Sequence, residues 1–218
     1  MRKYLADGVL QEYPACYVYI ERTLVSGAIR QGVIGVVDLE HYHYNPALHP
    51  KICATEATVL ERIPPRVAVR KDAELEFSHV LMLCDDDQKE LIEPIAAMKN
   101  DLSVVYDLDL MEQGGHITGW LVQGEAADAF NARLSAYTKT FETKYPDLDG
   151  AKVLLAVGDG NHSLATAKEC YNLNKTEASR YALTEVVNIH DTALEFEPIY
   201  RVVFGVNPEL ILQEFVKT

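Results

Sequence analysis

Apolar runs, and the polar residues that interrupt them, divide this chain into strands and helices. Near the start, Pro14 precedes an aromatic and β-branched run, Cys16-Tyr17-Val18-Tyr19-Ile20, and a second run, Gly32-Val33-Ile34-Gly35-Val36-Val37, follows across a polar link at Ser26-Gly27. That pattern predicts an antiparallel hairpin. The run HVLMLC at 79–84 predicts a buried strand, whereas 102–110 alternates Val105, Asp107 and Asp109 against Tyr106, Leu108 and Leu110, as a half-exposed strand does. Gly114-Gly115 then turns the chain into a strand at 117–122, a second hairpin. Across 124–144, Ala126, Ala129, Phe130, Leu134, Tyr137 and Phe141 form one apolar stripe at helical spacing, a core-facing face. Further helices are expected at 88–99 and 208–216, and extended segments at 181–189 and 196–204. Pro64-Pro65 must interrupt or restart any helix within 55–70.

The rest of the chain is organised around residues 152–172, KVLLAVGDGNHSLATAKECYN. Five apolar residues run into Gly158-Asp159-Gly160, and a helical pattern starts at Asn161. A buried strand, a tight turn and a helix start are predicted. Together the elements give a mixed α+β fold, with a largely antiparallel sheet and helices packed on it. With no repeat, low-complexity tract or linker, residues 1–218 read as a single domain.

Composition narrows the classes of function. The 218 residues are 48% hydrophobic and 24% charged, ordinary for a globular protein. A formal charge of −13 disfavours nucleic acid as a partner. Four cysteines, Cys16, Cys53, Cys84 and Cys170, stand far apart with no C-x-x-C pair, which suggests reduced core thiols and a cytoplasmic setting. No stretch reaches the ~20 apolar residues of a membrane span, so no membrane partner is expected.

Several residues carry candidate chemistry, each with a plainer reading beside it. His41 and His43 sit at i and i+2, a spacing that can hold a metal, but no third ligand stands at a recognised distance and no metal is assigned. Asp85-Asp86-Asp87 could attract Mg²⁺, but reads better as acids favoured by the dipole of the helix expected at 88–99. Glu56 is either a general base in a cleft or a solvated capping charge. In the 158–163 turn, Asp159 or Asn161 could cap the helix, and the glycines would let a ligand approach the backbone. This is either a phosphate cradle or a well-capped core turn. It is neither a Walker loop nor a dinucleotide fingerprint, and adjacent His162 and Ser163 diverge too far on a helix to act as base and nucleophile.

The stretch D-G-N-H-S-L-A-T-A, from Asp159 to Ala167, resembles the D-G-H-H-R-Y-E-T-A signature of a functionally uncharacterised bacterial and archaeal family, a domain of unknown function loosely described as SpoOJ/ParB-like. Thr55-Glu56-Ala57-Thr58, followed by Arg66, stands where that family has H-E-x-T and a later Arg. Val187-Asn188, Asp191, Leu194 and Pro198-Ile199-Tyr200-Arg201 are similar to its V-N…D…L…P-T-H-R segment. Gly8-Val9-Leu10, Pro14 and Tyr17-Val18-Tyr19 are similar to its opening strand. The resemblance covers nearly the whole chain, and because family members extend further at both ends it implies a central fragment or truncated member.

The resemblance implies a ParB/sulfiredoxin-like site, in which a nucleotide such as ATP, ADP or CTP, with Mg²⁺, lies against the helix N-terminus and supports phosphoryl transfer or nucleotide hydrolysis. By position, Glu56, Asp159 and His162 would be catalytic, with Glu56 the candidate base. Gly158, Gly160, Asn161, Ser163, Thr166, Arg66 and Arg201 would bind the ligand. Departures from the signature point elsewhere. Ser163 replaces an Arg, Asn161 a His, Ala165 a Glu, Thr55 the His before Glu56, and Tyr200 the His before Arg201. Losing a guanidinium removes a bidentate phosphate clamp. A non-catalytic switch or interaction module that keeps the fold is therefore the alternative.

Overall fold

Alternation of apolar side chains along the chain resolves into one nine-stranded mixed sheet. The computed structural model of the chain describes residues 2–77, 79–145, 153–195 and 204–215. A short exposed helix, α1 (Arg2–Ala6), precedes the expected hairpin of β1 (Tyr17–Thr23) and β2 (Ile29–Asp38). Two dipeptide strands, β3 (Tyr42–His43) and β4 (Ile52–Cys53), follow, then α2 (Ile63–Arg70) and β5 (Val80–Cys84). The second hairpin pairs β6 (Val104–Asp109) with β7 (His116–Val122). Next come α3 (Glu125–Lys144), β8 (Leu155–Asp159), α4 (Asn161–Leu173), α5 (Glu177–Arg180), β9 (Tyr181–Asn188) and α6 (Pro208–Phe215). The strand order is β3-β4-β8-β5-β9-β2-β1-β7-β6. The class is α+β, as the hydrophobic pattern implies.

Strand directions place the loops. From β9 through β2, β1 and β7 to β6 every neighbour is antiparallel, which hairpins and a long return produce. The other half contains parallel pairs: β3 with β4, β4 with β8, and β5 with β9. Between them β8 and β5 run antiparallel. One sheet face carries Tyr19, Val33, Met82 and Val157, all buried, against Phe130 and Tyr137 of α3 and Leu164 and Tyr171 of α4. Of the apolar stripe expected on 124–144, Ala126, Phe130, Leu134, Tyr137 and Phe141 join this core, with Ala127 in place of Ala129.

Two linked expectations about residues 85–99 need correction. The helix expected at 88–99 is instead a turn followed by a 3₁₀ helix, Glu93–Asp101. The Asp86 carboxylate accepts the Leu91 N–H at 2.7 Å, diverting a donor that an α-helix would use. Pro94 has no donor, and Ile92 and Ile95, both buried, suit a three-residue turn. The dipole reading of the three acids falls with that helix. Asp85 instead meets Lys144 and His190, and Asp87 meets Lys144. As expected, Pro64 and Pro65 restart the helix: a 3₁₀ turn at Leu60–Arg62 gives way to α2, with the prolines in its first turn. His43 Nδ1 accepts the Asn45 N–H at 2.9 Å, and no group of metal-ligating side chains forms among the described residues. The extended segment expected at 196–204 lies, but for its last residue, outside the described residues.

At the β6 edge, two local arrangements hold the hairpin. The Tyr106 ring covers Gly119 on β7, so close that an added Cβ would lie 2.5 Å from it. His116 stands between two carboxylates, with Nδ1 2.8 Å from Asp109 and Nε2 2.6 Å from Asp107, which Thr118 also bonds. The bond to Asp109, then that to Asp107, raises the imidazole above its ordinary pKa.

We expect Gly119→Ala to destabilise the protein by about 1–3 kcal/mol through overpacking, and Gly119→Ala/Tyr106→Ala to lose less than the sum of its parts, both read by urea denaturation. The raised His116 pKa means that its contribution is fully present below the unfolded value and is lost as pH rises through the folded one. NMR titration of the His116 ring should give a pKa above 6.5 that falls in Asp109→Asn.

Candidate functional site

Adjacent strands that point the same way deliver their following loops side by side. Strand β4 pairs in parallel with β8, Ile52 opposite Leu155 and Cys53 opposite Ala156, so the segment after Cys53 and the turn after Asp159 emerge at one end of the sheet. Ligands in sheets of this kind lie beyond the carboxyl ends of the strands. The turn itself is forced by Gly160, which has φ 90° and ψ 23° and would place a Cβ 3.1 Å from the Val80 backbone. Only glycine fits there without strain.

Thr55 and Asn161 knot the two loops together. Thr55 Oγ1 donates to the Val157 carbonyl at 2.5 Å, and the Thr55 N–H donates to Asn161 Oδ1 at 3.1 Å. Asn161 Nδ2 returns a bond to Thr55 Oγ1 at 3.3 Å. His162 forms the second tie. Its Nε2 accepts the Val59 N–H at 3.2 Å, which leaves the proton on Nδ1, 3.4 Å from Glu56 Oε1. The Glu56 side chain is 58% exposed and that of His162 14%, so the carboxylate faces solvent at the mouth while the ring is sheltered.

The structure thus brings Glu56, Asn161 and His162 together beside the 158–163 turn. Asp159 is exposed at the end of β8, and its Oδ1 accepts the Gly160 N–H at 2.7 Å. Gly160 is the cap residue of α4 and has no side chain to cap the first turn, so neither Asp159 nor Asn161 is the cap, although Asp159 holds the Gly160 N–H. The first-turn N–H groups after Gly160 therefore have no side-chain acceptor from the cap residue. Ser163 is partly exposed in the first turn of α4 and Gly158 is exposed on β8. Thr166 is buried, and its hydroxyl donates back to the His162 carbonyl at 2.7 Å, a bond internal to the helix. Arg66 is exposed on α2, which packs against α4, and Arg62 is exposed at the start of α2. Arg201 lies outside the described residues. Two concavities are found elsewhere, a groove between 85–91 and α3 and a wide depression between 70–76 and α4.

Sequence reasoning missed the role of Thr55, where the signature's His would stand. Its partner is 106 residues away, and no local pattern shows that Asn161 turns inward. The four thiols are free, with Cys84 buried and the others partly so. Burial pushes each of them above the ordinary thiol pKa, which makes them poor nucleophiles.

A family model for proteins of unknown function, DUF1015, matches residues 1–218. The chain belongs to the DUF1015 family. No curated protein and no solved structure matches this DUF1015 chain. Among the described residues of this DUF1015 protein no helix is long and apolar enough to cross a membrane.

Asn161→Ala should free the Thr55 loop and cost about 0.5–1.5 kcal/mol, because the partly buried Thr55 N–H loses its acceptor. Hydrogen–deuterium exchange should quicken at Thr55 and Val59 while the amides of β1 and β2 stay protected. Asn161→Asp, which keeps the acceptor, should fall between alanine and wild type.

Proposed function

We propose that this DUF1015 protein binds a nucleotide or a phosphorylated small molecule at the turn between β8 and α4. The observation that carries the reading is the helix start: α4 opens at a left-handed glycine with no side-chain cap, beyond the carboxyl ends of parallel β4 and β8. The first N–H groups of a 13-residue helix, together with its dipole, attract an anion there. The likeness of 159–167 to the ParB/sulfiredoxin type of turn supports a phosphate as that anion.

In this reading Gly158, Gly160 and the backbone of Asn161 and Ser163 cradle the phosphates, and Arg66 supplies positive charge from α2, a role the resemblance also gives to Arg201. Thr166 keeps the first two turns of α4 in place. Glu56, exposed at the mouth, takes the proton from an acceptor hydroxyl, and His162 positions it: Nε2 is held by Val59, so the ring orients the carboxylate rather than exchanging protons itself. Asp159 is the carboxylate that would help hold a Mg²⁺ accompanying a nucleotide, which would supply charge neutralisation. Phosphoryl transfer of this sort depends on alignment and charge neutralisation more than on covalent help from the protein. The second reading, a binding or switching module without turnover, is favoured by Ser163, which cannot grip a phosphate as an arginine does.

The test is a thermal-shift series with ATP, ADP, CTP, GTP and inorganic phosphate, with and without Mg²⁺. Ligand at about 100 times its Kd should stabilise by about 2.7 kcal/mol, a rise of roughly 5–11 °C for a chain of this size. Ser163→Glu puts an acid where the helix dipole welcomes it but a phosphate does not, so it should fold normally and lose the shift. If wild type and Ser163→Glu respond alike, or nothing shifts a cooperatively melting sample, phosphate binding at this turn is wrong. Glu56→Gln separates the two readings, since it should keep the shift and abolish any turnover.

A further inference from the structure

Strands β5 and β9 are also a parallel pair, and because β8 runs against β5 their carboxyl ends lie at the opposite end of the sheet from the 158–163 turn. The loops there are firmly built. Asn188, fully buried, accepts the Asp86 and His190 N–H groups through Oδ1 and donates through Nδ2 to the Asp86 carbonyl and to Glu93. Asp85 is saturated. Its Oδ1 meets His190 Nε2 at 2.7 Å and Lys144 Nζ at 3.0 Å, and the Tyr145 hydroxyl donates to Oδ2. Burial alone would raise the Asp85 carboxyl, but these three bonds outweigh it and hold it at about 2. Lys144 also reaches Asp87 at 3.2 Å, so its charge is used within the cluster.

Between this platform and α3 runs an open groove with an interior of about 100 Å³, in which part of a small molecule can seat while the rest stays in solvent. Leu91, Tyr137 and Phe141 give it an apolar lining. Two charged side chains on its walls are left over. Arg133, on the helix wall, has a buried Nη1 without a hydrogen-bond partner. Glu90 is on the loop wall, and among the described residues neither it nor Arg133 forms an ion pair. A buried N–H left bare is costly and calls for an acceptor. Phosphates suit it poorly, because Asp85, Asp86, Asp87 and Glu90 make the loop wall strongly acidic.

We propose that this groove binds a zwitterionic small molecule with an apolar body, its carboxylate on Arg133, its ammonium toward Glu90 and Asp87, and its apolar part on Phe141 and Leu91. One anchor of each sign on facing walls rewards a ligand that carries both charges over one that carries either. The site is separate from the phosphate reading of the other sheet end and stands or falls without it.

Calorimetric titration with L-phenylalanine, 3-phenylpropionate, 2-phenylethylamine and inorganic phosphate tests the idea at constant ring size. Phenylalanine should bind saturably, and each one-charge analogue about tenfold or more weakly, the step expected for one lost charged contact. Arg133→Gln should bring phenylalanine down to the level of the amine, and Glu90→Gln, at an exposed position, down toward the acid. Ser163→Glu should leave the binding unchanged. Should Arg133→Gln fail to fold, Glu90→Gln and the analogue series decide alone. No saturable binding of phenylalanine, equal binding of the three aromatic ligands, preference for phosphate, or indifference to Glu90→Gln would each overturn the proposal.

Discussion

Strand β5 bonds to neighbours of opposite sense, β8 antiparallel on one side and β9 parallel on the other, and the layout of both ends of the sheet follows from that. A central strand must satisfy every backbone donor and acceptor along both edges, so the direction of its neighbours cannot be adjusted locally. Loops after β4 and β8 are sent one way and loops after β5 and β9 the other. The order in which the chain visits these strands matters less than the sense in which each is laid down.

At each end, parallel neighbours bring a carboxylate and a histidine together: Glu56 with His162 at 3.4 Å, and Asp85 with His190 at 2.7 Å. The two pairs differ in what surrounds them. Asp85 is the hub of a closed network, whereas Glu56 projects from a loop tied down on either side of it by Thr55 and Val59. The first arrangement resists change, and the second presents a carboxylate without fixing it. The motif at the helix start says little about this by itself, because the loop after β4 determines what faces the turn.

The hairpins and α3 were legible in the sequence because alternation and the 3.6-residue stripe are local, and the strand-turn-helix at 155–173 because an apolar run ends on glycine. Strands β3 and β4 were not, since a dipeptide has no period. The 3₁₀ segment was hidden by a side chain, Asp86, that competes for a backbone N–H five residues on. At the candidate site Glu56 and His162, which the resemblance names from separate segments, lie 3.4 Å apart. The inward turn of Asn161 and the anchoring by Thr55 depend on the register of β4 against β8, which no window of sequence contains.

The border strands of the described sheet have a consequence for how copies of this chain meet. A sheet edge is an open ladder, and a long flat one invites another molecule to continue it. Strand β3 offers only two residues, too few to seed such a continuation. Strand β6 is longer, but a bulge between Val104 and Tyr106 breaks its register, and Asp107 and Asp109 would meet their own kind in a second copy. The carboxylates that flank His116 thus serve a second purpose: they make the rim of the sheet a poor template, so that the ladder ends where the chain ends it.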